Sequence, residues 1–441
     1  MSNPAHAIAP HGADATLQKT VDPWRVSLAA AIGSFIEYYD FAVYGVLAIT
    51  LGPLFFPSSS PSAALLSALL VYAAAFVIRP VGAIVFGWIG DHYGRRSALI
   101  VTIIGMGLAS ALIGILPTYA QAGLAAPAML VFLRLIQGFF AGGEVSGAAT
   151  YVAECAPDGR RGFFGSINVA GVVAGGAAAA FTAAIIRTMV APEQMLSWGW
   201  RVPFFLSLPL LVIGLYVRLR LADSPHFTEV VEAHQLAKIP LVALFRHHVI
   251  AVLRTIGLAF GMTSTGLFSS VYLFIYLVHV VKLPLGWASW AFAIVECVAV
   301  GLTPFAGMIS DRVGRRMPVM VGFLCYIVLT PLSMFLMQGH ELPVIAFMLL
   351  LLAIPHAAVQ GAVYPIYPEL FPTRVRYTGM AVGFNIAIIV GGGLAPYIST
   401  RLVALTGSDV GASLYVVFAA LIGLLTLATI QDSRNEPLAD T

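Results

Sequence analysis

Apolar runs of roughly twenty residues recur along the whole of this 441-residue sequence, separated by short polar, Pro- or Gly-containing breaks. At about 1.5 Å per residue, a helix of that length matches the hydrocarbon thickness of a bilayer. Inside lipid every backbone N–H and C=O must be bonded within the chain, so such runs can only be helical. Twelve spans are counted, six in each half, centred near residues 37, 77, 107, 140, 175, 211, 265, 298, 327, 356, 389 and 420. Composition agrees, with 59% hydrophobic and 10% charged residues, against about 25% charged in an average soluble domain. A soluble protein with an oversized core is thereby excluded.

A duplicated element divides the chain. Gly87 to Arg96 reads GWIGDHYGRR and Gly307 to Arg316 reads GMISDRVGRR, so GxxxDxxGRR occurs twice, 220 residues apart. Glu154, Pro157 and Arg161 (ECAPDGRR) are echoed by Glu369, Pro372 and Arg376 (ELFPTRVR) at nearly the same offset. Two matches at one spacing point to two homologous halves in a membrane. The expected division is a disordered cytoplasmic arm at 1–23, a six-helix bundle at 24–221, a polar linker at 222–248, a second bundle at 249–430 and a tail at 431–441.

Arg95, Arg96, Arg160, Arg161, Arg218, Arg220, Lys238, Arg246, Arg312, Arg315, Arg316, Arg374 and Arg376 fall in loops on one side, whereas Arg187, Arg201, Lys282 and Arg401 fall on the other. The positive-inside rule then puts both termini and the linker in the cytoplasm, in agreement with the even number of spans. The first twenty or so residues lack the basic start and short apolar core of a cleaved signal peptide. Three cysteines, an odd number at or within spans, imply neither a disulfide framework nor a metal cluster. No GxxxxGKS/T or GxGxxG element, HExxH or CxxC is present, so nothing marks nucleotide hydrolysis, a dinucleotide cofactor or a metal. The chain reads as neither an enzyme nor a nucleic-acid binder.

Charges inside spans cost about 2.5–3.5 kcal/mol each on insertion scales, so several of them imply a use. Glu37 and Asp40, three apart in GSFIEYYDFAVYG, share a helix face. Arg79 lies near the bilayer midplane in the second span, and Arg134 and Glu144 share the fourth, in RLIQGFFAGGEVSG. The second half offers fewer: Arg254, Glu296, and His356 with Gln360. Gly138, Gly142, Gly143 and Gly147 in the fourth span and Gly391 to Gly393 in the eleventh allow close helix contact or bending.

At these residues the chain resembles the major facilitator superfamily, and within it the metabolite:H+ symporters. The paired GxxxDxxGRR loops carry the wider resemblance. EYYDFAVYG, FVIRPVGAIVFGWIGD, RLIQGFFAGGEVSGAATYVAE, WGWRVPFF and ELFPTRVRYTG carry the narrower one, over about residues 24 to 430. The resemblance implies an all-α membrane protein of twelve transmembrane helices in two pseudo-symmetric six-helix bundles. It implies a central cavity and alternating access in a bacterial inner membrane, with a monomer as the working unit. Asp91, Arg95, Arg96, Glu154, Arg161, Asp311, Arg315, Arg316, Glu369 and Arg376 would form cytoplasmic contacts that hold the outward-open state.

The function expected on this basis is proton-coupled uptake of a small organic acid such as a di- or tricarboxylate. Symport of a zwitterionic osmolyte such as proline or betaine is the alternative, and a non-transporting receptor a more distant one. The short C-terminal tail lacks the long coiled coil of some osmosensory members, and the fifth span lacks the Gly-Pro element of drug antiporters. Arg79 would clamp a carboxylate with its two-pronged guanidinium, with Tyr38, Tyr44, Gln137, Asn168, Tyr272, Tyr276, Gln360 and Tyr364 lining the cavity. Glu37, Asp40, Glu144 and His356 are the candidates to carry the proton, with Arg134 tuning Glu144 or joining a relay. The proton gradient is the driving force, and no cofactor is expected. Each negative charge moved against 100 mV costs about 2.3 kcal/mol, so a dianion would need at least two protons and a zwitterion one.

Overall fold

A computed structural model describes residues 22–58, 60–93, 95–219, 240–339, 341–372 and 375–432. The expected arm before residue 22, the linker up to residue 239, the tail after residue 432 and the side chains of Asp91, Arg95 and Arg96 lie outside the described residues. Eleven helices are long and apolar enough to span a bilayer: α1 (Pro23–Phe55), α2 (Pro61–Phe86), α3 (Ser97–Gly114), α4 (Ala125–Cys155), α5 (Arg161–Met189), α6 (Gly199–Leu219), α7 (Val249–His279), α8 (Leu285–Val313), α9 (Arg316–Leu336), α10 (Leu342–Glu369) and α11 (Arg376–Thr406). A shorter apolar helix, α12 (Ser413–Ala428), completes the twelve. The protein is therefore an all-α, multi-pass membrane protein.

Local chemistry explains where the helices start and stop. Asp22 caps α1 by accepting from the Trp24 N–H (3.0 Å), and Pro23 takes the first helical position, where its missing N–H leaves nothing unbonded. Ser60 and Pro61 do the same for α2. The turn between α8 and α9 is only two residues long, and Gly314 within it has φ 97°, a backbone region that L side chains rarely adopt. This is why GxxxDxxGRR needs its second glycine.

Packing repeats between the halves. In the first, α1 packs on α5, α2 on α4 and α3 on α6; in the second, α7 packs on α11, α8 on α10 and α9 on α12. Adding six to each helix number converts one set into the other. The halves meet along two helix pairs related in the same way, α5 with α8 and α2 with α11. Outward residues are apolar and well exposed, as at Phe132 (62%), Val212 (66%) and Leu425 (68%), which is how a surface bathed in lipid differs from one bathed in water.

Six spans are interrupted among the described residues, α6 at Leu206 and α10 at Tyr364 and Pro365 besides the four that follow. Pro80 has no N–H to give and its ring crowds the carbonyl four residues earlier, so α2 breaks at Ile78, directly before Arg79. In α4 the break falls at Gly142 and Gly143. Single π-turns interrupt α7 at Phe268–Tyr272 and α11 at Ile389–Gly393, a geometry that often sits at functional positions.

The glycines of α4 serve contact. A Cβ on Gly138 would collide with the Ala75 carbonyl oxygen, and one on Gly142 with that of Arg79, so α2 and α4 touch backbone to backbone. Gly147 has only Tyr377 Cε2 at 3.4 Å from such a Cβ. Gly138→Val is accordingly expected to cost about 3 kcal/mol or more, as overpacking against an immovable backbone, and Gly147→Ala under about 1 kcal/mol. Thermal unfolding of the two purified variants in detergent checks the contrast.

Candidate binding cavity

A cavity lies between the two halves. Its first-half wall is made by Tyr38 and Phe41 of α1, Tyr72, Phe76 and Arg79 of α2, and Val172, Val173 and Gly176 of α5. Its second-half wall carries Met262, Thr263 and Ser270 of α7, Glu296 of α8, His356 and Gln360 of α10 and Ile388 of α11. The space open to water centres is about 40 Å³, room for about three waters.

Arg79 is held by three acceptors. Its Nη2 donates to Glu37 Oε1 (2.8 Å) and to the Ala141 carbonyl (3.2 Å), and its Nε donates to Asn385 Oδ1 (3.2 Å). Its guanidinium lies over Phe41 and Phe76, at 5.4 and 5.8 Å from the ring centres. The break in α4 supplies part of this arrangement. The carbonyls of Ala141, Gly142 and Gly143 accept from Arg79, Asn385 (3.1 Å) and Tyr377 (3.2 Å), the last two from the other half. Arg79 is therefore not a free clamp, since Glu37 already occupies one prong.

Arg134 does not approach Glu144. It donates to Gln137 Oε1 (2.8 Å) and lies over Tyr44 (4.4 Å), Phe41 (5.1 Å) and Tyr72 (5.5 Å). Asp40 accepts from Ser207 Oγ (2.5 Å), and its second oxygen has no hydrogen-bond partner among the described residues. Glu144 instead forms an ion pair with Arg218 and accepts from Thr102 (3.3 Å). The expectation that Arg134 tunes Glu144 is corrected by this. Gly142 and Gly143 interrupt the helix between the two residues, and a cation from α6 reaches Glu144 first.

Of the residues expected to line the cavity, Tyr38, Arg79 and Gln360 do so. Six others lie outside its wall, held to neighbours by hydrogen bonds or ring packing. The Tyr44 hydroxyl donates to the Ala68 carbonyl (3.1 Å) and that of Tyr276 to Met334 (2.6 Å). Gln137 bonds Ser110 (2.5 Å), and Asn168 accepts from Ser34 (2.8 Å). Tyr272 packs on Phe268 (5.2 Å), and Tyr364 on Tyr367 and Phe384 (5.9 and 6.1 Å). Among the proton candidates, His356 lines the cavity and Glu37 joins it through Arg79. Asn385 and Glu296 were not among the expected site residues. The signal for Asn385 is a lone amide in an otherwise apolar span, and for Glu296 a lone carboxylate in another.

At the end bearing the repeated loops, Asp311 bridges the halves. Its two oxygens accept from the backbone N–H groups of Gly162 and Phe163 (2.8 Å each), at the start of α5, where unpaired donors and the helix dipole favour an anion. Arg315 holds Asp311 (2.5 Å) and approaches Glu369 (3.5 Å), and Arg376 reaches Glu154 across the halves (3.5 Å). Arg161 bonds the nearby Asp158 (3.0 Å), and Arg316 opens α9. The opposite end is also tied, by Arg187 to Ser289 (2.8 Å) and Trp290 to Thr188 (3.0 Å). The halves thus touch at both ends of the cavity.

Comparison with known proteins agrees with this architecture. The family model described as sugar (and other) transporter matches residues 26–241 and again 229–435. A proline/betaine transporter of Salmonella typhimurium is 34% identical over 93% of this chain and 84% of its own length. The glycine betaine/proline/ectoine/pipecolic acid transporter OusA of Dickeya dadantii is 36% identical over 93% and 83%. Among solved structures, the major facilitator superfamily proton:xylose symporter XylE bound to 6-bromo-6-deoxy-D-glucose superposes with a TM-score of 0.75. It covers 94% of this chain and 97% of that one at 17% identity, a likeness of fold. With paired six-helix halves around a charged cavity and a family match over nearly its whole length, the chain belongs to the sugar (and other) transporter family and is a transporter of the major facilitator superfamily.

Proposed function

We propose that this transporter takes up a small zwitterion of the proline/betaine class together with a proton. The observation that carries the reading is charge of both signs in one cavity: Arg79 stands in the first-half wall and Glu296 in the second. Both are at least 97% buried, and one Glu296 oxygen has no hydrogen-bond partner among the described residues. A guanidinium and a separate carboxylate match the two ends of a zwitterion, whereas a di- or tricarboxylate would meet repulsion at Glu296. The printed functions of the two relatives point the same way. The zwitterion reading thus displaces the organic acid expected from the sequence.

Asp40 is the proton carrier in this reading, since it is a buried acid bonded to a serine and, among the described residues, to no cation. Uptake would run into the cytoplasm of a bacterial cell across its inner membrane, with the termini on the side of the basic loops.

The test is substrate-evoked current in proteoliposomes under an inward proton gradient, with proline, betaine, citrate, α-ketoglutarate and shikimate in turn. Current with proline or betaine alone is expected. Current with the acids alone would restore the organic-acid reading, and silence throughout would overturn proton-coupled transport of either class.

A further inference from the structure

Three buried polar atoms of the second-half wall have no hydrogen-bond partner among the described residues: Glu296 Oε2, Gln360 Oε1 and His356 Nε2. Unsatisfied polar groups are rare in native interiors and expensive, at about 1–3 kcal/mol each. Three in one cavity wall describe the ligand that would satisfy them. The carboxylate and amide oxygens are acceptors by chemistry. For His356, Nδ1 lies 3.3 Å from the Tyr326 hydroxyl, which also contacts Ser269 Oγ (2.9 Å) and the Thr265 carbonyl (3.4 Å). The tyrosine proton has three acceptors in reach, so His356 Nε2 serves as acceptor or donor according to the ring tautomer. The Glu296 and Gln360 oxygens therefore ask for a donor.

The same wall has no Phe, Tyr or Trp among its lining residues. On the opposite wall the ring faces of Phe41, Phe76 and Tyr72 already receive the guanidinium groups of Arg79 and Arg134. Quaternary ammonium groups carry no N–H and are recognised by cages of open aromatic faces. Of the four lining rings only Tyr38 has no guanidinium over it among the described residues, and one open ring is not a cage.

Resting on the zwitterion reading above, we infer that Glu296 and Gln360 form a subsite for a cationic nitrogen bearing N–H bonds, so that this transporter selects amino and imino acids over their fully N-methylated counterparts. Glu296 supplies charge, and Gln360 supplies direction. The substrate carboxylate faces Arg79, and the amine or imine hydrogens face the second half.

The experiment compares uptake of L-proline, N,N-dimethylproline and glycine betaine by the full chain in proteoliposomes. L-Proline is expected to show at least tenfold higher kcat/KM than either quaternary compound, since one charge-assisted hydrogen bond is worth at least that factor. Equal uptake, or preference for a quaternary compound, would overturn the subsite and leave the zwitterion reading standing. Transport of none of the three would overturn that reading and the subsite with it. Glu296→Gln and Gln360→Leu should each narrow the proline preference severalfold. Unchanged preference in both variants would also overturn the assignment, while the wild-type comparison stands if a variant fails to fold. A sodium ion could use the same acceptors, so the assay is repeated with potassium replacing sodium. Unchanged proline uptake supports the amine subsite, and a strict sodium requirement would overturn it.

Discussion

Asp40→Asn is expected to abolish accumulation of substrate against its gradient while leaving substrate exchange across the membrane intact. Asparagine has the shape of aspartate and still offers an oxygen to Ser207, which bonds Asp40 at 2.5 Å in the wild type. It cannot take up or release a proton at any working pH. Each unit of pH gradient supplies about 1.4 kcal/mol per proton, a tenfold concentration ratio. Two units therefore sustain about hundredfold accumulation with one proton per substrate, and the variant should fall to a ratio near one. The measurement is radiolabelled proline uptake beside counterflow in the same vesicles. Retained accumulation would remove Asp40 as the carrier and pass the role to Glu37, whose Oε2 likewise has no hydrogen-bond partner among the described residues.

Arg79→Lys is expected to weaken substrate affinity by about tenfold or more. Arginine presents a planar fork with donors on separate nitrogens, which here reach Glu37, Ala141 and Asn385 at once. A lysine ammonium puts the same charge at one point and cannot span Nε and Nη positions together. One lost hydrogen bond to a charged group costs about 1.5–3 kcal/mol. Asn385 comes from the second half, so the variant should also loosen contact between the halves. The check is the proline KM beside thermal unfolding of the purified variant; wild-type affinity would remove Arg79 as the carboxylate partner. Removing the cation entirely, as in Arg79→Leu, strands Glu37 as a buried charge and is expected to cost about 3–5 kcal/mol of stability.

These two residues show where sequence reasoning reaches and where it stops. Asp40, Arg79, Arg134 and Glu144 were all legible as charges in apolar spans, because lipid makes such charges too costly to keep without a use. Their partners were not legible. Glu144 lies ten residues from Arg134 on one nominal span, yet the glycine break between them and the approach of α6 give it to Arg218. Tyr44 and Tyr276 looked like cavity residues because a tyrosine hydroxyl in lipid needs a bond, but each finds a backbone carbonyl within its own half. Glu296 stood out only as one more charge. Its importance follows from having Arg79 in the opposite wall of the same cavity.

The sequence by itself determined that the chain crosses a membrane as twelve helices in two repeated halves. Chain length per span, the hydropathy of each run and a duplicated loop are local properties, and a bilayer permits no other backbone structure. Even the glycine of the second repeated loop follows from a local demand, a two-residue turn with positive φ. Only the tertiary structure decided which charges meet. Partners such as Arg79 and Asn385, 306 residues apart, are brought together by how α2 packs on α11, and Asp311 finds the start of α5 in the same way. Such pairings depend on helix rotation, on breaks at Ile78 and Gly142, and on which neighbour reaches a buried group first. Those are properties of packing, and no single span contains them.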